Sequence, residues 1–119
     1  MIKGSIVLVP FPFDDLSESK VRPALCLTAT IGEFNHVIIA FISSRIPQNL
    51  ISSDYVIYKS SENSIGTGLA VDSVIRLHKM VTIPQSLIKR KLGEINQLMK
   101  VHIARQIMQL FEVEKDDLK

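Results

Sequence analysis

The stretch GSIVLVPFPFDDLSESKVRPALCLT, residues 4–28, decides the fold. It opens as an apolar run from Ile6 to Val9 and breaks at Pro10-Phe11-Pro12-Phe13. A polar loop follows, residues 14–20, and the chain then turns apolar again at Val21-Arg22-Pro23-Ala24-Leu25-Cys26-Leu27. Two candidate buried strands therefore flank one polar loop. A lone arginine, Arg22, sits where that loop re-enters the core. An arginine between Val21 and Pro23 is expensive to place there without a job. Function is expected at that junction.

Working outward, the same short apolar runs recur. Residues 6–9, 24–28, 37–42, 55–58, 71–77 and 80–83 are rich in Val and Ile and mostly bounded by loop residues, which is the strand signature. Few of them alternate cleanly, so both faces of the sheet are expected to be covered. A small barrel with one face against a partner subunit satisfies that pattern. Gly32-Glu33-Phe34-Asn35 fits a hairpin turn between the second and third strands. Pro47 opens a polar loop that runs to Asp54, and residues 60–68, with Ser, Asn and two glycines, read as a flexible loop. Pro84 ends the strand of Val81 and Ile83, and residues 89–95 are expected to add a short last strand weakened by Gly93. From Asn96 the period changes. Met99, Ile103, Ile107, Leu110 and Phe111 mark an amphipathic helix over residues 96–112, with Asn96 as its N-cap. Leu98, Val101 and Met108 widen the stripe, and Leu98, Met99 and Met108 are read as core or dimer packing. A frayed tail is expected from Glu112. Strands first and one helix last give an α+β class, mainly β, with residues 1–119 as one domain.

Composition narrows the function classes. The hydrophobic fraction of 46% and the mean hydropathy of +0.23 are high for a short chain, yet no apolar run approaches the ~20 residues of a membrane span. The surplus is expected to cover a subunit interface, hence a homodimer. No signal peptide is evident at Met1-Ile2-Lys3-Gly4, and the single cysteine, Cys26, lies in an apolar run. Both suit a reducing cytoplasm. Cys26 is read as a small core residue. Neither cysteine nor histidine clustering supports a metal site. Net charge is only +2, but residues 112–117 hold four acids and one lysine, so the rest of the chain is more basic than the total suggests. Lys20, Arg22, Arg45, Arg76, Lys79 and Lys89-Arg90-Lys91 carry that charge, the last three equally well a solvated strand.

The chain resembles the MazF/PemK toxins, the ribonuclease partners of bacterial toxin–antitoxin pairs. The resemblance rests on Gly4, on Ile6-Val7-Leu8-Val9-Pro10-Phe11-Pro12-Phe13, on Asp15-Leu16-Ser17, Ser19-Lys20 and Arg22-Pro23-Ala24, and further on at Ile42-Ser43 and Ala70-Val71-Asp72-Ser73-Val74-Ile75. One departure is Ser5, where the family usually has an acid after the first glycine. The resemblance implies an SH3-like small β-barrel of the MazF/CcdB type with a C-terminal helix, a homodimer, a cognate antitoxin partner and no cofactor. It also implies an activity: metal-independent endoribonuclease, or mRNA interferase. In that reaction the 2′-hydroxyl of single-stranded RNA attacks its neighbouring phosphorus and leaves a 2′,3′-cyclic phosphate. Two other readings stay open. One is a CcdB-like toxin that binds a topoisomerase without catalysis, the other an inactive barrel that binds nucleic acid or antitoxin.

Such cleavage needs charge stabilisation at phosphorus and proton transfer at both oxygens. Arg22 fits the first need, because a planar fork of permanently charged donors matches phosphate oxygens. By resemblance it is the family's essential arginine; otherwise it is an ion-pair partner of Asp14 or Asp15. Ser43 closes the third apolar run, and its hydroxyl stands where the family commonly has a threonine; otherwise it caps a turn with Ser44. Arg22 and Ser43 are thus the expected catalytic pair. Phe13, Ser17, Ser19, Lys20, Ser44, Arg45, Arg76 and His78 are the expected RNA contacts. An arginine, which keeps its proton throughout the physiological range, is a poor base. His78 falls where some PemK-type relatives place an aspartate and has the chemistry for acid–base work. His36 and His102 are read as exposed or structural, and Asp72 as structural at a strand start.

Overall fold

Alternation of side chains along the strands builds two cores, one on each side of a single sheet. The computed structural model describes residues 2–11, 20–114 and 116, with Phe11 as backbone alone. Its strands are β1 (Ser5–Phe11), β2 (Lys20–Cys26), β3 (His36–Ser43), β4 (Asp54–Ile57), β5 (Ser73–Pro84) and β6 (Arg90–Glu94), followed by the helix α1 (Gln97–Leu110). All pairings are antiparallel, in the order β4-β5-β3-β2-β1-β6. On one face Ile6, Leu25, Ala40, Ile42 and Ile75 pack with Met99 and Ile103 of α1. On the other, Val7, Val9, Ala24, Cys26, Val37, Ile39 and Ile83 gather, with Leu87 and Ile88 against them. That second cluster joins β1 to the far end of β5, so the sheet curls into a half-barrel. The fold is mainly β with one C-terminal helix, and the expectation that both sheet faces are covered holds.

Arg22 and Pro23 lie inside β2, opposite Val9 and Leu8 of β1. Pairing with β3 begins only at Ala24. Pro23, which has no N–H, therefore sits where β2 has β1 as its only neighbour. The strand starts four residues earlier than the apolar run alone indicates, because β1 reaches past it to Phe11. The hairpin at residues 32–35 is present, with Asn35 N–H donating to the Gly32 carbonyl at 3.2 Å and both residues at positive φ.

Several readings change. The runs at 71–77 and 80–83 are not two strands: residues 73–77 and 80–83 are parts of one, β5, which runs twelve residues through the polar His78 and Lys79. Residues 60–68 are tied down: Ser64 Oγ donates to the Lys59 carbonyl at 2.8 Å, Thr67 Oγ1 to the Ser64 carbonyl at 2.6 Å, and Glu94 N–H to the Gly66 carbonyl at 2.8 Å. Gly93 is no weak point, since a side chain there would collide with the Gly66 carbonyl crossing it. On α1, Asn96 caps as expected, its Oδ1 accepting from Met99 N–H at 2.8 Å. Met99 and Ile103 are buried, but Leu98 is 73% exposed and Met108 40%, so the inward stripe is narrower than the apolar pattern. Glu112 is no loose end: it takes φ +55, with its N–H on the Gln109 carbonyl and Val113 N–H on the Met108 carbonyl, a left-handed helix cap.

Two outcomes follow from these contacts. Gly68 has φ +75, and a methyl there would strike the Leu92 carbonyl. Gly68→Ala is expected to cost at least about 2 kcal/mol, whereas Gly32→Ala, at φ +74 in open space, should cost roughly 1 kcal/mol. Urea titration reads the difference, and equal midpoints would contradict the packing of this loop on β6. The Cys26 thiol is buried, and desolvation pushes its pKa up from 9.0 to about 11. The native state therefore keeps a proton that the unfolded chain releases, so stability falls as pH rises from about 9 to about 11. Melts of the protein and of Cys26→Val should run parallel below that window and diverge within it; parallel curves throughout would show the thiol to be hydrated.

Candidate functional site

The site is made by a fault in the β3–β5 ladder. Ala40 faces Met80 and Ile42 faces Ile75, so Phe41 alone stands opposite Arg76, Leu77, His78 and Lys79. The surplus residues on β5 turn away from β3 and toward the segment before β4. Leu77 N–H donates to the Ser53 carbonyl at 2.9 Å, and Arg76 Nε pairs with Asp54 Oδ1 at 2.9 Å. A groove of about 410 Å³ opens beside this bend, lined by Arg22, Phe41, Ile42, Ser43, Arg45, Arg76, Lys79, Met80 and Val81.

Each strand delivers its residue by alternation. On β2, Arg22 shares a face with the buried Ala24 and Cys26 but lies past the end of the core, in solvent. On β3, Ser43 shares a face with Val37, Ile39 and Phe41 and is the last residue of the strand. Its hydroxyl accepts from Arg45 N–H at 3.0 Å, which folds the chain back and sets Arg45 on the rim. Phe41 and Val81, partly buried against the second core, provide the apolar floor.

Four of the expected residues thus meet in one groove: Arg22, Ser43, Arg45 and Arg76. Lys20 is exposed at the start of β2, two residues from Arg22 on the same face. Ser44 is exposed and follows Ser43 without lining the groove. His78 is exposed between two lining residues, with Nδ1 2.8 Å from Ser53 Oγ. Phe13, Ser17 and Ser19 lie outside the described residues, as do Asp14 and Asp15. His36 stands apart, half-buried with its ring 6.2 Å from Phe34, and the His102 ring packs edge-on to Tyr55 at 5.1 Å. Asp72 Oδ1 accepts from Lys59 N–H at 2.7 Å, a structural tie between the end of β4 and the start of β5. Lys89, Arg90 and Lys91 are exposed on or beside β6, away from the groove.

Lys79 and Phe41 were not legible as site residues. Lys79 was visible only as one cation among many; the bend in β5 brings it to the rim. The rim therefore carries four cations, Arg22, Arg45, Arg76 and Lys79, and among the described residues no carboxylate lines the groove. Asp54 lies behind Arg76 with its side chain fully buried, while Arg76 keeps 23% of its side chain exposed. The pair engages Nε, so the charge is anchored while the guanidinium stays at the groove. Such an arrangement binds anions, and its row of forked donors suits phosphates joined along a chain. Among the described residues no cluster of three His, Cys, Asp or Glu side chains is placed to hold a metal ion.

A half-barrel of this topology with a basic groove at the mouth places the protein among small toxin folds. Residues 2–111 match the family of PemK-like, MazF-like toxins of type II toxin–antitoxin systems, and the chain belongs to that family. Solved structures share the fold. The Mycobacterium tuberculosis toxin MazF-mt6 superimposes with a TM-score of 0.69 at 20% identity, over 92% of this chain and 98% of that one. The MazE–MazF structure from Deinococcus radiodurans gives 0.69 at 16% identity, over 96% and 97%. An endoribonuclease in complex with its cognate antitoxin, from a mycobacterial species, gives 0.66 at 12% identity, over 96% and 97%. No curated protein sequence matches this chain. No helix among the described residues is long and apolar enough to cross a membrane.

Removing Arg76 strands a buried carboxylate. Arg76→Ala is expected to destabilise the fold by on the order of 3 kcal/mol, and adding Asp54→Asn to it should recover part of that loss. Denaturant unfolding of the two variants tests the pair; an Arg76→Ala protein of native stability would show that the ion pair does not offset the burial of Asp54.

Proposed function

We propose that this protein is an endoribonuclease that cleaves single-stranded mRNA, without a metal ion, in the groove between Arg22 and Lys79. The observation that carries the reading is the convergence of Arg22, Ser43, Arg45 and Arg76 on one groove. Membership of the toxin family and the likeness to a structure named as an endoribonuclease support it. Arg22 stabilises the extra negative charge on the phosphoryl oxygens as the 2′-oxygen attacks phosphorus. Ser43 places the scissile phosphate through its hydroxyl, and Arg45, Arg76 and Lys79 hold the flanking phosphates. Phe41 and Val81 supply an apolar floor against which a base or ribose rests. Lys20, Ser44, His78 and the loop residues Phe13, Ser17 and Ser19 extend the RNA contact. The products are a 2′,3′-cyclic phosphate and a 5′-hydroxyl.

The same reading makes the protein a one-domain cytoplasmic homodimer under the control of a cognate antitoxin. Exposed apolar side chains, among them Leu50, Ile51, Met108 and Phe111, offer surface for a second copy. An acidic, disordered antitoxin segment that folds across the groove would neutralise the rim cations and exclude RNA.

Purified protein is expected to cut a long RNA at discrete sites with EDTA present. Arg22→Ala should lose about 10²–10³ of the single-turnover rate, by analogy with one lost oxyanion donor. Arg22→Lys should also be poor, since an ammonium lacks the fork. Ser43→Ala should lose less, because a neutral hydrogen bond is worth about 0.5–1.5 kcal/mol. Mass spectrometry of the fragments reads the cyclic phosphate. A folded Arg22→Ala protein that cleaves at the native rate would remove the centre of this mechanism.

A further inference from the structure

The two β5 side chains at the bend, Arg76 and His78, are both held by the segment that leads into β4 and by its first residue, Asp54. Asp54 takes Arg76 Nε, and Ser53 Oγ meets His78 Nδ1 at 2.8 Å. What fixes that segment lies on the opposite side of the molecule from the groove rim. Gln106, on α1, donates from Nε2 to the Ser52 carbonyl at 2.9 Å and to the Asp54 carbonyl at 2.8 Å. The intervening Ser53 carbonyl accepts from Leu77 N–H at 2.9 Å, and Asp54 Oδ2 accepts from Ile51 N–H at 3.1 Å. Three successive carbonyls are thus pinned, two of them by one amide. Both amide hydrogens of Gln106 are used, which also fixes which way the group is turned.

Gln106 is only 9% exposed, beside Ile103 and Ile107 on the inward stripe of the helix. Its Oε1 is buried with no hydrogen-bond partner. A buried acceptor left unsatisfied is a cost that an apolar residue at this place would avoid. A polar residue that carries such a cost, and spends its donors on the two carbonyls flanking Ser53, points to a task beyond packing.

We propose that Gln106 is a positioning residue for the groove: by holding the carbonyls of Ser52 and Asp54 it sets the Ser53 hydroxyl and the Asp54 carboxylate that orient His78 and Arg76. The activity arm of its test rests on the ribonuclease reading of the groove; the spectroscopic arm does not. Without the clamp, residues 52–54 lose two of their tertiary hydrogen bonds, the Ser53 hydroxyl drifts from His78, and Arg76 loses its fixed anchor.

The test compares Gln106→Met and Gln106→Ala with Ser53→Ala and with Gln109→Met, an exposed change on the same helix. Long-range proton–nitrogen NMR of the His78 ring at alkaline pH reports the neutral tautomer. Thermal melts and single-turnover RNA cleavage are run alongside. The unaltered protein and Gln109→Met should share one tautomer ratio, set by the Ser53 contact and different from that of a free imidazole. In Gln106→Met and in Ser53→Ala the ratio should move to that of a free imidazole, while the proteins remain folded. Cleavage by Gln106→Met should fall about 10- to 100-fold, the scale of loss when a group is displaced by about an ångström. A folded Gln106→Met or Gln106→Ala protein with the native His78 signature would overturn the proposal. So would unfolding of both variants, which would reduce Gln106 to a structural tie. If the unaltered protein cuts no RNA, the ribonuclease reading falls, and the His78 signature alone decides for or against Gln106.

Discussion

The structure depends on one irregularity, the four β5 residues that stand opposite the single Phe41 of β3. A regular ladder would have continued β5 straight past β3 and left a flat sheet edge. The surplus turns β5, so that its first half pairs with β4 and its second half with the start of β3. Bulges increase local twist and re-aim side chains. Here the same distortion supplies the curl that lets Ile83 join the core of Val7 and Val9, and it lifts Arg76 and Lys79 to the rim of a groove. Fold and site are consequences of one bend.

That bend has to be stabilised from outside the ladder, because residues 76–79 give up regular pairing with β3. The compensation comes from the segment before β4: a backbone bond to Leu77, an ion pair to Arg76 and a hydroxyl to His78. The segment is in turn held by α1 through Gln106. The far side of the sheet shows the same economy. Residues 62–69 lie across β6 at Gly93, where only a glycine leaves room, and Asn96 caps α1 while its Nδ2 donates to Asn63 at 3.2 Å. A groove rimmed by four cations is unfavourable for an isolated fold through their mutual repulsion. Asp54, buried behind Arg76, offsets part of it without facing the groove.

Much of this was legible in the sequence. The Val- and Ile-rich runs marked the strands, Asn96 marked the helix start, and the shared apolar character of both strand faces announced that both would be covered, though one was assigned to a partner subunit where the chain itself supplies a second core. Arg22 stood out because a charge inside an apolar re-entry has few structural excuses. Other features were hidden for physical reasons. His78 and Lys79 looked like a break between two strands, because a bulge that exposes polar side chains has the same pattern as a turn. The serines and glycines of residues 60–68 looked like a flexible loop, yet Ser64 and Thr67 spend their hydroxyls on backbone carbonyls and the glycines allow close approach to β6. Leu98 and Met108 fit a helical stripe by period, but the sheet under α1 is wide enough to bury only Met99 and Ile103 fully. Gln106 read as an ordinary polar position, since its partners lie 52 and 54 residues away.

The central claim is that the bend in β5 creates a phosphate-binding groove for single-stranded RNA. The salt dependence of binding to an uncleavable 2′-O-methyl oligonucleotide tests it most directly. Because Asp54 already offsets the charge of Arg76, three phosphates neutralised by Arg22, Arg45 and Lys79 give a slope of log K against log salt of about −2, from roughly 0.7 per contact on a single strand. Lys79→Ala, which removes a rim cation that only the bend brings there, should reduce the slope by about 0.7. Binding that is insensitive to salt, or a slope unchanged by Lys79→Ala and Arg45→Ala alike, would contradict the account and place the RNA elsewhere on the molecule.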